Sequence, residues 1–339
     1  MNLNFKKAED IFTLIDSYDV KLTGRFSNLT KNIIYTPDVN HKQSAVYAHE
    51  IDNVLIYEGR SLVKDGSFYI DTPLEWSYEK NLEYIMRVKA VHKSEFSYIS
   101  DDFEYQEKRP LLRLSDEVFH CGSVEHWNFG FFLTVLMPKI YYITTLNKNK
   151  PILVPIRKSW QVHLLQEFFC DVEFVFYDPD IPVHCDKVIS VSWPEFGFYV
   201  NQDYIAFVRG KVRKYNLNNG EREGKIFLGR SVTREIDNRV RLGNSTKHLL
   251  RKKGYNVIYP ELLTYQNLFS ILHGASDIIV ESGSALFNLI FSNIPNITVL
   301  ESRSEFVGNH YRFISSVGEN SKMIYFDKES ENYILDYLS

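Results

Sequence analysis

Cysteine is scarce in this chain of 339 residues, with three examples at Cys121, Cys170 and Cys185. An odd number, widely spaced and without a Cys-x-x-Cys pair, argues against a disulfide framework and points to a reducing compartment. Long apolar runs are lacking as well. No segment reaches the ~18 uninterrupted apolar residues of a membrane-spanning helix, and the opening stretch MNLNFKKAEDIFTLIDSYDV has no apolar core of a secretion signal. The expected location is cytoplasmic. Peripheral contact at the inner face of a membrane stays open, since a surface helix of modest amphipathicity would not stand out. An excess of positive charge is missing too: 39 Lys and Arg face 43 Asp and Glu, for a net charge of −4. No overall field therefore draws the chain onto nucleic acid. The run RGKVRKYNLNNGEREGK reads as a solvated linker or helix face. Tandem repeats and low-complexity tracts are absent.

What is there suffices for real cores. Hydrophobic residues make up 44% of the chain, and the 24 Phe and 22 Tyr either fill interiors or line grooves that stack sugars or bases. The length suits two packed domains. Residues 43–72 alternate apolar and polar with Glu-Gly and Asp-Gly breaks, which predicts a small antiparallel β unit. Residues 73–115 show no clean period and read as a connector. From 117 onward strand-length apolar runs (PILVPI, VEFVFY, DKVISV) alternate with helix-length amphipathic ones, the pattern of βα units on a parallel sheet. A long helix is expected to start at Asn128, a good N-cap, and to kink or break near Pro138. After a polar loop the rhythm restarts with KIFLGR and continues through STKHLLRKKG, YNVIYP, TYQNLFSILHGA, DIIV, SALFNLIF, NITVLE, HYRFISSVG and KMIYF. The expected fold is α/β, with two Rossmann-like domains facing a cleft. Residues 1–115 are β-rich and belong with the first domain, which spans 116–215; the second spans 216–339.

The stretch DIIVESGSALFNLIF, residues 277–291, carries the chemistry. Ser282, Gly283 and Ser284 fall where a buried parallel strand ends and a helix begins, and open α/β sheets bind ligands outside the carboxyl ends of their strands. Backbone N–H groups at that helix start lack intrahelical partners and suit a phosphate. Gly283 permits a close backbone approach, Ser282 and Ser284 add hydroxyls, and Ser284 can cap the helix. Neither a Gly-x-Gly-x-x-Gly fingerprint nor a Walker loop occurs, so hydride transfer and phosphoryl transfer from ATP lose their main support. Neighbouring strand ends supply Arg230, Ser231 and Arg234 in FLGRSVTRE and Glu301 in NITVLES. Two guanidiniums beside an N–H nest match a diphosphate, and a carboxylate at the next strand end suits a ribose diol.

These residues resemble glycosyltransferase family 61, in a bacterial polysaccharide-type version, over residues 40–326. The resemblance is strongest in GRSVTREIDN and in GYNVIYPELLTYQNLFSILHGASDIIVESGSALFNLIFSNIPNITVLES. Within them Arg230 and Arg234 match the family's Arg-rich strand end, Gln266 its Gln before a helix, Gly283, Ser284 and Asn288 its Gly-Ala-x-x-x-Asn turn, and Glu301 its strand-end Glu. The resemblance implies a GT-B-like enzyme with an acceptor domain and a nucleotide-sugar donor domain. It also implies inverting transfer without an obligatory metal or other cofactor, from a UDP-sugar to a glycan or lipid-linked polysaccharide precursor. Two departures stand out. Ser282 replaces a His that often precedes the Gly of the turn, and the motif Asn-[Tyr/Phe]-x-His-[Trp/Phe] appears as NFGFF, keeping Asn128 on the acceptor side but with Phe131 at the His position and Thr134 or Val135 at that of a following acid.

Inverting transfer needs a base for the acceptor hydroxyl and fixed positive charge for the leaving diphosphate. Glu125 and His126, just ahead of the helix at Asn128, are the candidate bases, with His120 and Asp116 in reserve. Asp178-Pro179-Asp180 imitates an Asp-x-Asp metal site, and His184, Cys185 and Asp186 suggest zinc, but the second α/β set has no role in the first case and the residues are consecutive in the other. Two other readings of the whole chain remain: a catalytically silent nucleotide-sugar or glycan binder, and another enzyme of similar shape, such as a nucleotide-sugar epimerase or a pyruvyltransferase.

Overall fold

A computed structural model describes residues 5–6, 10–15, 18–22, 25–28, 33–35, 39–43, 46–57, 59, 61–64, 67–69, 112–122, 126–146, 149–192, 199–215, 224–231, 242–294, 296–301, 308–318 and 320–326. The strands in chain order are β1 (Phe5–Lys6), β2 (Asp10–Ile15), β3 (Tyr18–Leu22), β4 (Arg25–Asn28), β5 (Ile33–Tyr35), β6 (Val39–Gln43), β7 (Val46–Tyr57), β8 (Ser61–Lys64), β9 (Ser67–Tyr69), β10 (Leu112–His120), β11 (Ile152–Pro155), β12 (Phe174–Tyr177), β13 (Val183–Val191), β14 (Gly224–Leu228), β15 (Tyr255–Ile258), β16 (Ala275–Glu281), β17 (Asn296–Glu301) and β18 (Asn320–Tyr325). The chain forms two compact units, one of Met1–Tyr18 with Lys42–Glu195, the other of Asp19–His41 with Phe196–Ser339.

The first unit is built on a sheet of order β1-β9-β8-β7-β13-β10-β11-β12, with β2 also pairing β7. Strands β13, β10, β11 and β12 run parallel, and β7 joins them antiparallel through β13. All four residues of β11 are buried, as a strand covered on both faces requires. The antiparallel unit expected at 43–72 corresponds to β7, β8 and β9. The connector expected at 73–115 lies outside the described residues up to 111. At the helix start, the Asn128 Oδ1 accepts from the Gly130 N–H at 2.9 Å. The kink expected near Pro138 takes the form of a π-helical turn, Phe132–Leu136, between the helices Phe129–Phe131 and Met137–Thr145. Proline has no N–H for the carbonyl four residues back and its ring crowds that carbonyl. A widened turn, closed by the Met137 N–H on the Phe132 carbonyl, absorbs the mismatch.

The second unit carries a sheet of order β15-β14-β16-β17-β18-β4-β5. Pairing is parallel from β15 through β4, and β5 closes the edge antiparallel. Numbered from β14 in sequence, the five strands from β15 to β18 run 2-1-3-4-5, a doubly wound order whose switch point falls between β14 and β16. Ile278, Ile279 and Val280 in β16 are fully buried. Gly254, at φ 88°, ends the helix Asn244–Lys252 in the left-handed conformation that glycine accepts without strain. The remaining strands, β3 and β6, pair with each other.

Where the sequence suggests a boundary at 215/216, the compact units divide at 195/196. The helix Gln202–Val212 goes with the second unit because the Gln202 Nε2 donates to the Ser316 carbonyl at 2.8 Å. Residues 19–41 also join the second unit, with β4 added parallel to β18. Among the described residues, no helix is long and apolar enough to cross a membrane.

Cysteine chemistry follows from burial. Cys121 and Cys185 are buried and Cys170 is exposed, and burial, followed by the nearby Asp186 carboxylate, pushes the Cys185 thiol up to about 12. A thiol reacts as its thiolate. Labelling of the native protein by a thiol reagent near neutral pH is therefore expected to modify Cys170 alone, with the other two reacting only after denaturation; mass mapping of the labelled sites checks this.

Candidate active site

The carboxyl edge of the second sheet converges on the turn after β16. Gly283 stands at φ 113° and ψ −149°, a conformation essentially reserved for glycine. It reverses the chain into the helix Ser284–Phe291, which is 3-10 rather than α. Apart from Ser284, every side chain of this helix is buried. Gly283 occupies the N-cap with no side-chain cap, so Ser284 begins the helix and does not cap it. The Ser282 N–H is taken up by the Leu300 carbonyl at 2.9 Å, which extends the β16–β17 ladder by one residue.

Two buried carboxylates hold this edge together. The Glu281 Oε2 accepts from the Arg230 N–H at 2.9 Å, and its Oε1 from the Leu242 N–H at 3.1 Å. A single side chain thus fixes both residues that bracket 231–241 and brings Arg230 to the turn across the switch point. Gly229 makes room for it: a Cβ there would lie 2.9 Å from the Phe227 ring, 3.2 Å from the Tyr259 ring and 3.4 Å from Glu281 Oε2. The second carboxylate, Glu301, is 0% exposed. Its Oε1 accepts from the Ser282 hydroxyl at 2.8 Å, and its Oε2 lies 2.9 Å from the Nδ1 of His310. The turn is therefore braced by a Ser282–Glu301–His310 chain, with the His310 ring packed edge-on to Phe287. The buried Lys247 has its Nζ 5.7 Å from the centroid of the Tyr259 ring, the same ring that lines Gly229.

Arg230, Ser282, Gly283, Ser284 and Glu301 are thus gathered at one edge, but not all with free chemistry. The Ser282 hydroxyl hydrogen is given to Glu301. The Asn288 Nδ2 points inward to the Ala285 carbonyl at 3.0 Å. The Ser231 N–H donates to Glu261, and Gln266 is exposed near the start of the helix Tyr265–Gly274. Arg234 and Glu125 lie outside the described residues. Glu281, His310 and Lys247 were not singled out from sequence. A Glu closing one strand and a His beginning a helix nine residues after Glu301 were the available signals, and neither has a diagnostic spacing.

In the first unit His126 is fully buried, its carbonyl accepting from the Gln161 Nε2 at 2.8 Å and its ring edge-on to Trp127. Gly59, at φ 73°, leaves space for it: a Cβ there would lie 3.1 Å from the His126 Cε1. At the positions where the sequence departs from the motif, Phe131 and Val135 are buried and Thr134 donates its hydroxyl to the Gly130 carbonyl at 2.8 Å. Of the reserve residues, His120 is buried with its Nε2 3.4 Å from the Tyr177 hydroxyl, and Asp116 is exposed. Burial, ahead of the Cys185 and Cys121 charges, raises the Tyr177 phenol well above its usual range. The metal-like motifs are otherwise engaged. The Asp178 Oδ1 accepts from the Asp180 N–H at 2.9 Å, and Asp180 pairs with Arg157. In β13, alternation sends His184 and Asp186 to one face and Cys185 to the other. Among the described residues no three His, Cys, Asp or Glu side chains gather as a metal site.

A buried strand end, a glycine-only turn and the Arg230 backbone held by the buried Glu281 carboxylate meet at this edge. The family profile for glycosyltransferase 61 matches residues 124–300, which takes in this edge from Gly229 to Leu300 together with the helix start at Asn128. No curated protein matches the chain. The matched span covers just over half of the sequence, and the protein belongs to the glycosyltransferase 61 family: it is a glycosyltransferase.

Proposed function

We propose that the protein transfers a sugar, with inversion and without a metal, from a UDP-sugar to a glycan or lipid-linked polysaccharide precursor in the cytoplasm, in a GT-B arrangement with the acceptor on the first unit and the donor on the second. The nucleotide sugar is a substrate, so no cofactor enters. The observation that carries this reading is the Glu281–Arg230 contact, which fixes the Arg230 backbone beside the turn at the switch point.

In the reaction the acceptor hydroxyl gives its proton to the base and its oxygen forms the new bond to C1 of the sugar. The bond from C1 to the β-phosphate oxygen breaks, and its electron pair leaves with the nucleoside diphosphate. Arg230, the N–H groups opening the helix at Gly283 and Ser284, and Lys247 stabilise that charge, each acting where it develops. Ser231, Arg234, Gln266 and Asn288 complete the donor side, directly or by shaping the edge. Glu301, with both oxygens engaged by Ser282 and His310, acts by fixing the turn rather than by holding a ribose. Glu125 and His126 are the candidate bases, with Asn128 shaping the acceptor side.

The full burial of His126, and the burial of Phe131 at the motif's His position, favour one second reading, a silent binder of nucleotide sugars. Transfer assays on wild type, Glu125→Ala and His126→Ala separate the two: turnover lost in either variant supports the enzyme, and binding without turnover in the wild type supports the silent reading. For the donor site itself, the test is thermal stability with UDP or UDP-sugars. Ligand binding stabilises the folded state by mass action. Removing one charge-assisted contact is worth about 1.5–3 kcal/mol, or about 10–100-fold in affinity. Arg230→Ala is therefore expected to fold normally, because only its backbone N–H meets Glu281, and to lose the UDP-dependent stabilisation. Full stabilisation in that variant contradicts the site.

A further inference from the structure

The Asp178-Pro179-Asp180 motif, left without a metal role, lines a cavity of about 470 Å³ at the carboxyl ends of β11 and β12 in the first unit. The size falls within the range of small-molecule sites. Its walls include Arg157, Lys158, Phe176, Asp178 and Asp180. We propose that this cavity is a saccharide subsite that takes an uncharged sugar residue of the acceptor.

Charge excludes the main rival, a phosphate. Arg157 and Lys158 contribute two positive charges and Asp178 and Asp180 two negative ones, so the wall formed by the described residues is neutral, and Arg157 is already paired with Asp180. An anion would meet two carboxylates. Sugar hydroxyls, which donate and accept, match a wall of alternating acceptors and donors. The second carboxylate oxygen of Asp178 has no hydrogen-bond partner among the described residues, since only its Oδ1 is engaged, by the Asp180 N–H. The apolar face of a pyranose needs a flat partner. Phe176, 38% exposed and stacked at 13° on Phe174, offers one, because ring C–H groups carry partial positive charge that lies well against the negative face of an aromatic ring.

The cavity is also held in shape. The fully buried Gln161 accepts at its Oε1 from the N–H groups of Arg157 and Lys158, each at 2.9 Å, while its Nε2 donates to the His126 carbonyl. The Arg157 guanidinium lies 5.4 Å from the centroid of the Trp127 ring. One glutamine thus ties the cavity wall to the segment that holds the candidate base His126, and a sugar seated at Asp178 is connected to that segment through a single side chain.

This inference concerns the acceptor side and stands apart from the donor turn. Saturation-transfer NMR on the full chain, with lactose, maltotriose and N,N′-diacetylchitobiose as neutral probes and sialyllactose as an acidic one, tests it. UDP-dependent thermal stabilisation in the same samples reports separately on the donor site. At least one neutral probe is expected to bind, and Phe176→Ala and Asp178→Ala, both at exposed positions, to weaken it about tenfold while leaving the UDP response unchanged. Binding by none of the neutral probes, wild-type affinity retained in both variants, preference for the acidic probe, or displacement of the saccharide by inorganic phosphate overturns the proposal.

Discussion

Glu301→Ala is expected to cost about 3 kcal/mol of stability and to abolish measurable sugar transfer. The stability loss arises because the variant leaves the Ser282 hydroxyl and the His310 Nδ1 without their acceptor in a buried site, and a buried polar group stripped of its partner costs about 1–3 kcal/mol. The functional loss arises because Ser282 immediately precedes Gly283, so freeing its side chain frees the turn. Glu301→Gln separates the two effects. The amide keeps the shape and an oxygen for Ser282, but turns an NH2 toward His310 and so demands an acceptor nitrogen where a carboxylate calls for a donor. That variant is expected to lose less stability than Glu301→Ala and still to show a raised KM for the donor. Urea denaturation with donor-dependent kinetics on both variants provides the check, and wild-type kinetics in Glu301→Ala contradict the brace.

The second large effect is expected at Gly283. A side chain there must adopt φ 113° and ψ −149° or distort the turn, at about 1–3 kcal/mol. Relief of that strain moves the Gly283 and Ser284 N–H groups, so Gly283→Ala is expected to weaken UDP at least tenfold. Gly254→Ala is the control. It also places alanine at positive φ, 88°, but a Cβ there meets nothing within 4 Å, and the residue closes a helix away from the turn. Its expected cost is about 1–2 kcal/mol, with UDP affinity unchanged. Calorimetric titration of both variants distinguishes local strain from loss of the site; an equal fall in affinity for both would mean that general destabilisation accounts for the effect.

Much of this architecture was legible because its signals are local. The strands β11, β14, β16 and β17 are short apolar runs bounded by polar or glycine residues, Asn128 is a good N-cap, and Gly283 follows a strand that ends in polar residues. What stayed hidden is non-local. Pairing of β4 with β18 joins residues almost 300 positions apart, and nothing in the β4 sequence names its partner. The division at 195/196 depends on where the helix Gln202–Val212 docks. Glu281, Glu301 and a solvated strand-end glutamate look identical in sequence, yet these two are buried and fully occupied, one by backbone N–H groups and the other by Ser282 and His310. Likewise Asp178-Pro179-Asp180 has the spacing of a metal motif, and only the position of Arg157 shows that one of its carboxylates is already paired.

The most direct test of the central claim is a crystal structure of the protein with UDP bound in the presence of a chelator. Diphosphate oxygens are predicted within hydrogen-bond distance of the Gly283 and Ser284 N–H groups and of the Arg230 guanidinium. A diphosphate found elsewhere, for instance against Arg157 and Lys158 in the first unit, or bound only when a divalent metal is restored, would contradict it.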